Sequence, residues 1–161
     1  MKLSDPDLFR EAALIDGNWI ARPDMQVIDP ASGAAMGSIP DITAEETMRA
    51  ISAAERAMVE WRARTPAERA DILMRWHDLM QDNTEDLARI LTAEQGKPLA
   101  EARGEVAHGA SFIRWFAEEA RRIDGAIIPS PLPGKKILAW KEPVGASMMN
   151  SLPRYPDEWM R

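Results

Sequence analysis

Two four-residue signals, Thr43-Ala44-Glu45-Glu46 and Thr65-Pro66-Ala67-Glu68, constrain this chain of 161 residues more than any other local feature. In each, the threonine hydroxyl accepts from the amide three residues on. The glutamate reaches back to the threonine amide, so two orphaned N–H groups at a helix start are satisfied together. Pro66 strengthens the second signal, because proline at the first helical position forfeits no hydrogen bond. Met48, Ile51, Met58 and Trp61 follow the first start among many alanines. Ile72, Leu73, Trp76, Leu79 and Met80 follow the second at i, i+3/i+4, i+7 spacing, which predicts one apolar stripe. Asn83-Thr84-Glu85-Asp86 predicts a third helix carrying Leu87, Ile90 and Leu91, stopped or kinked at Gly96-Lys97-Pro98. A long fourth helix is predicted from about Pro98 to Ile123. Its face is Leu99, Ala102, Val106, Ile113, Phe116, Ala120 and Ile123, and Asp124-Gly125 ends it.

Strand signals are shorter and flank the helices. After a charged lead-in over residues 1–12, Ala13 to Ile20 predicts a hairpin about Asp16-Gly17-Asn18, where glycine accepts positive φ at little cost. Gln26 to Pro30 predicts a short strand, Ala31-Ser32-Gly33 a turn, and Met36 to Pro40 a weaker strand. Beyond the helices, Ile127-Ile128-Pro129 leads into a turn at Pro131 to Gly134, and Lys136 to Pro143 reads as one strand. No internal repeat is visible.

Charge and composition exclude several classes of function. Twenty basic residues against 26 acidic ones give a net charge of −6, which opposes a nucleic-acid or anionic-membrane surface. The basic pairs Arg121-Arg122 and Lys135-Lys136 lack interleaved aromatic residues, which a single-stranded nucleic acid would need. The absence of cysteine excludes disulfides, thiolate metal sites and a cysteine nucleophile in these residues, and fits a reducing compartment. No secretory h-region is seen at the start, and no window approaches the ~20 apolar residues of a membrane span. A cytoplasmic protein is expected.

Few residues have the spacing that chemistry requires. His77, between Trp76 and Asp78, is expected at the surface, and no His-Glu-x-x-His pattern indicates a metal. Gly104 and Gly109 have the separation of a phosphate loop but are followed by Ala110-Ser111, so close helix packing is the better reading. Glu118 and Glu119 diverge by ~100° on a helix and cannot converge on one atom. They read as a solvated face partnered by Arg121 and Arg122. The six tryptophans are expected mostly in the core.

Six separated pieces, in order, resemble the aldehyde dehydrogenase family. They are Ile15-Asp16-Gly17-Asn18-Trp19; Val27 to Gly33; Trp61 with Glu68 to Leu73; Glu94-Gln95-Gly96-Lys97-Pro98; Phe112 to Gly125; and Lys141-Glu142-Pro143-Val144-Gly145. The phrasing around Gln95 to Pro98 and Trp115 to Glu119 is most similar to the NAD(P)-dependent succinate-semialdehyde branch. The resemblance implies an α/β fold class: the amino-terminal portion of an aldehyde dehydrogenase-like fold, mostly helical with short edge strands. It ends at Gly145, which divides the chain into a family region over 1–145 and a non-family tail over 146–161. A truncation with a frame change, or a disrupted gene, is the expected origin of that tail.

What the resemblance implies about activity follows from chemistry. The family forms a thiohemiacetal on a cysteine, stabilises its oxyanion and passes hydride to NAD or NADP. Without a cysteine or a Gly-x-Gly-x-x-Gly turn, no catalytic or cofactor-binding residue is assigned, and the fragment is expected to hold no cofactor. The expectation is an incomplete enzyme, inactive alone, whose complete form oxidises an aldehyde such as succinate semialdehyde to the acid. The alternative is a non-catalytic module associating with a full-length relative, or a homo-oligomer. Gly104, His108 and Phe112 match the helix face bordering the outer substrate tunnel, although His108 also reads as a partly buried structural histidine. Glu94 matches a position that helps hold a structural monovalent cation in some members, against its plain reading as a helix-end carboxylate. The strand of Trp140 joins the subunit-bridging sheet in the family, and here is expected as an unpaired edge.

Overall fold

A computed structural model describes residues 1–146. The tail from Ser147 onward, including Trp159, lies outside the described residues. A 3-10 turn at Pro6–Leu8 precedes β1 (Ala13–Ile15), β2 (Asn18–Ile20), β3 (Met25–Ile28) and β4 (Ala35–Ile39). Four helices follow: α1 (Ala44–Ala63), α2 (Pro66–Asp82), α3 (Thr84–Gln95) and α4 (Leu99–Glu119), the last continued by a 3-10 turn at Ala120–Arg122. β5 (Ala126–Pro129) and β6 (Lys136–Ala139) complete the described chain. The strands form three separate antiparallel hairpins, β1–β2, β3–β4 and β5–β6.

Local chemistry accounts for most boundaries. Both predicted capping boxes are present, with Thr43 and Thr65 as the caps and Glu46 and Glu68 as the reciprocal acceptors. The β1–β2 turn places Asp16 at φ 52° and Gly17 at φ 76°, the paired positive angles that match strand twist in a two-residue hairpin. Gly96 ends α3 at φ 73° and returns its amide to the Thr92 carbonyl at 2.8 Å. A Cβ there would lie 2.8 Å from Pro30 Cγ, so glycine is needed both for its backbone angle and for the approach of the β3–β4 turn.

Three predicted elements differ. Asn83 does not cap α3; its side chain donates to the Leu79 carbonyl at 2.8 Å, because its backbone serves the end of α2 instead. The fourth helix stops as α-helix at Glu119, and its last turn tightens to 3-10 geometry. The strand at 136–143 ends at Ala139 and is paired. Residues 126–129, expected only to lead into a turn, form its partner, with Ile127 opposite Leu138 and Ile128 opposite Ile137. Local pattern missed β5 because its four residues are all exposed and show no alternation.

The core sits where α4 crosses α2 and α3. It is built from small residues: Ala70, Ala88, Ala102, Ala110 and Ala117 are buried, together with Val106, and among the described residues no large side chain is fully buried. Met80, Leu87, Leu91 and Leu99 pack around Ala88, Ala102 and Val106. The tryptophan expectation fails here. Trp19, Trp76, Trp115 and Trp140 are all more than half exposed, as are Leu79, Phe116 and Ile123 of the predicted stripes. Alanines occupy the buried positions between the helices, and the bulkier residues stand outward. Of the two glycines assigned to packing, Gly109 serves it, with Met80 Cε 3.8 Å from where its Cβ would be. Gly104 is exposed and has nothing within that reach.

Because Ala102 is fully buried, Ala102→Leu must overpack the seam. We expect it to cost about 2 kcal/mol or more in urea unfolding, while Leu79→Ala, at an exposed position, changes stability by less than about 0.5 kcal/mol.

Candidate functional site

The strongest sequence candidates fall on one side of α4. Gly104, His108 and Phe112 recur every four residues and are all exposed. The rings of His108 and Phe112 meet edge to face, with centroids 4.8 Å apart and planes at 78°. Ser111 donates its hydroxyl to the His108 carbonyl at 2.6 Å, which holds the turn between them. Trp115 and Phe116 continue the apolar surface toward the helix end. His108 is therefore an exposed side chain, not a partly buried structural one. This face can line an apolar passage, but it brings no carboxylate, hydroxyl or second imidazole into a catalytic arrangement with His108.

His77 corrects the expectation of a surface residue. Its side chain is only 15% exposed, and its Nδ1 lies 2.9 Å from Asp78 Oδ1. The inward face of α2 runs through Ala70, Leu73, His77 and Met80, so it is rotated by about one residue from the stripe the sequence predicts. Glu118 pairs with Arg114 at 2.9 Å and Glu119 with Arg122 at 2.7 Å. Arg121 leaves its own helix and binds Asp71 of α2 at 2.8 Å, so only Arg122 of the two expected partners serves the acid pair.

Glu94 lies in the last turn of α3 at an exposed position, yet partial burial of its carboxyl raises its pKa above the ordinary value. Among the described residues no group of three His, Asp or Glu side chains can hold a metal ion. The described helix starts do not suit the pyrophosphate of a nicotinamide cofactor. Each of the four described α-helices opens on carboxylates: Glu45 and Glu46, Glu68, Glu85 and Asp86, and Glu101. A pyrophosphate needs free N–H donors and positive charge at such an end. No described helix is long and apolar enough to cross a membrane.

Two charged clusters escaped the sequence reading because their partners are distant along the chain. Arg22 forks onto the Glu46 carboxylate at 2.7 and 3.0 Å, and also binds Asp24 and the Asp41 carbonyl. Glu46 is thus both the reciprocal cap of α1 and the acceptor that ties the β2–β3 connection to it. The Arg22 fork, with the Thr43 amide, lowers its pKa from 4.5 to about 2. The second cluster joins the lead-in to α3: the amides of Ser4 and Asp5 donate to Asp86 Oδ2 at 2.7 and 2.8 Å.

Comparison with known proteins agrees with this architecture. Residues 19–149 match the model of the aldehyde dehydrogenase family. The chain is 51% identical over 150 residues to glutarate-semialdehyde dehydrogenase of Pseudomonas aeruginosa, covering 91% of this chain and 31% of that protein. It is 50% identical over 150 residues to the NADP(+) succinate-semialdehyde dehydrogenase of Escherichia coli, again covering 91% and 31%. The crystal structure of succinate-semialdehyde dehydrogenase from Burkholderia pseudomallei superposes with a TM-score of 0.86 and 51% identity, over 90% of this chain and 31% of that one. The chain belongs to the aldehyde dehydrogenase family and has the fold of its amino-terminal part. It spans about a third of the length of these relatives.

Two outcomes follow from the geometry. The pKa of Glu46 is depressed on folding, so its contribution to stability is complete above the ordinary value of 4.5 and is lost as pH falls from there toward about 2. Acid titration of the unfolding midpoint should show this loss, and Glu46→Gln should flatten that part of the curve. Phe112→Ala removes an exposed ring, so its unfolding free energy should change by less than about 1 kcal/mol in urea titration.

Proposed function

We propose that this chain is the amino-terminal scaffold of an NAD(P)-dependent dehydrogenase for the semialdehyde of a dicarboxylic acid. Succinate semialdehyde is the substrate of the complete form, and the 161 residues alone do not oxidise it. The observation that carries this reading is the 51% and 50% identity, over nine-tenths of the chain, to enzymes named for glutarate and succinate semialdehyde. The exposed aromatic residues Phe112, Trp115 and Phe116 of α4 support it, since apolar side chains grouped on one helix suit contact with further protein or a ligand passage. Gly104, His108 and Phe112 are then tunnel-lining residues of the complete enzyme. The family region is read as residues 1–145, with the match to the family continuing to residue 149, and the residues beyond as a tail outside it. A reducing, cytoplasmic setting and a homo-oligomer or mixed oligomer with a full-length relative complete the proposal. The purely non-catalytic module draws no support from the comparisons, in which the relatives are named as dehydrogenases.

The physical reason for inactivity is the missing nucleophile. Oxidation through a thiohemiacetal needs a thiolate, and these residues contain no cysteine. The purified chain, mixed with succinate semialdehyde and either NAD⁺ or NADP⁺, should produce no absorbance from reduced nicotinamide; clear turnover overturns the proposal. A chimera tests the substrate. Residues 1–145, substituted for the corresponding amino-terminal part of the Escherichia coli enzyme, should keep kcat/KM for succinate semialdehyde within about tenfold of the parent, a barrier change under about 1.4 kcal/mol. A folded chimera that rejects succinate semialdehyde rules out this choice of substrate.

A further inference from the structure

The lead-in over residues 1–12, which the sequence presents only as a charged stretch, is held at both ends by different parts of the molecule. At one end Asp86, only 4% exposed in the first turn of α3, accepts from the amides of Ser4 and Asp5 through the same oxygen. Arg89, one turn on, donates to the Lys2 carbonyl at 3.0 Å and lies 3.5 Å from the other Asp86 oxygen, Oδ1. At the other end the Glu11 carboxylate accepts from the Ser38 amide at 2.6 Å and the Ser38 hydroxyl at 3.1 Å. Phe9 lies against Gly37, where a Cβ would come within 3.1 Å of its ring. Gly37 and Ser38 belong to β4, so the lead-in touches the helical body with its first residues and the β3–β4 hairpin with its last.

The segment between these anchors is short and stiff. Pro6 fixes its own φ and starts the 3-10 turn. Asp5 caps that turn by accepting from the Asp7 amide at 3.0 Å, while its carbonyl accepts from Leu8 at 3.3 Å. The residue that Asp86 holds is therefore the same residue that organises the turn. A bend held in this way offers a continuous route between the two anchors.

We propose that residues 1–12 act as a splint that couples the β3–β4 hairpin to α3, with Asp86 and Glu11 as its two positioning residues. The carboxylate of Asp86 is matched to consecutive backbone amides, and a charged acceptor makes such bonds short and strong. Loosening either anchor frees the far one, since coupling between two sites is reciprocal.

Hydrogen exchange on the full chain, read residue by residue, tests this with two isosteric substitutions that leave no cavity. Asp86→Asn puts an amide where two donors now find a carboxylate. Exchange should quicken about tenfold or more at Ser4 and Asp5 and also at Ser38, with the α4 amides unchanged. Glu11→Gln should quicken exchange at Ser38 and, reciprocally, at Ser4 and Asp5. If each substitution speeds exchange only at its own anchor, the two contacts are independent and the splint is overturned. Equal acceleration throughout α4 with Asp86→Asn overturns it as well, because Asp86 would then support the helical body and not a coupling.

Discussion

Everything else in this structure is arranged around the seam where α4 crosses α2 and α3. Ala70, Ala88, Ala102, Ala110 and Ala117 are buried there, and Gly109 admits the end of Met80. Small side chains bring helix axes close, so dispersion contacts accumulate between backbones as well as between side chains. The cost is borne by the bulky residues. Trp76, Leu79, Trp115 and Phe116 stand on the outer faces.

Charged contacts tie the β2–β3 connection to α1 and the lead-in to α3. Glu46 closes the start of α1 and at the same time receives the Arg22 fork from the β2–β3 connection. One carboxylate thus decides both where a helix begins and where a neighbouring loop lies. Asp86 does the same at the start of α3, where it accepts from two successive amides of the lead-in. The hairpins have little buried surface of their own, and short two-stranded ribbons are marginal in isolation. Directed bonds to buried or half-buried carboxylates supply the order that apolar area does not.

Family membership and chemistry separate cleanly in this chain. The landmarks that resemble aldehyde dehydrogenases, from the Asp16-Gly17 turn through Gly96 to the end of α4, are helix caps, turns and packing faces. They set the backbone angles, helix boundaries and packing of the described scaffold. His108 illustrates the point: its ring meets that of Phe112 edge to face.

By itself the sequence determined what depends on neighbours within a turn or two: both capping boxes, the Asp16-Gly17 hairpin, the stop at Gly96 and the family to which these pieces belong. Each is a local energetic preference of the backbone, legible from four or five residues. Only the tertiary structure decided which side of each helix faces inward. Stripes of leucine and tryptophan look like core under a periodicity rule, but the rule cannot say how close two axes will come. His77 turned in and Trp76 turned out for that reason. Only the tertiary structure paired 126–129 with 136–139, and only it brought Arg22 to Glu46 and Ser4 to Asp86, residues 24 and 82 positions apart. Such contacts leave no local trace, because their favourable energy appears only after the chain has closed the loop between them.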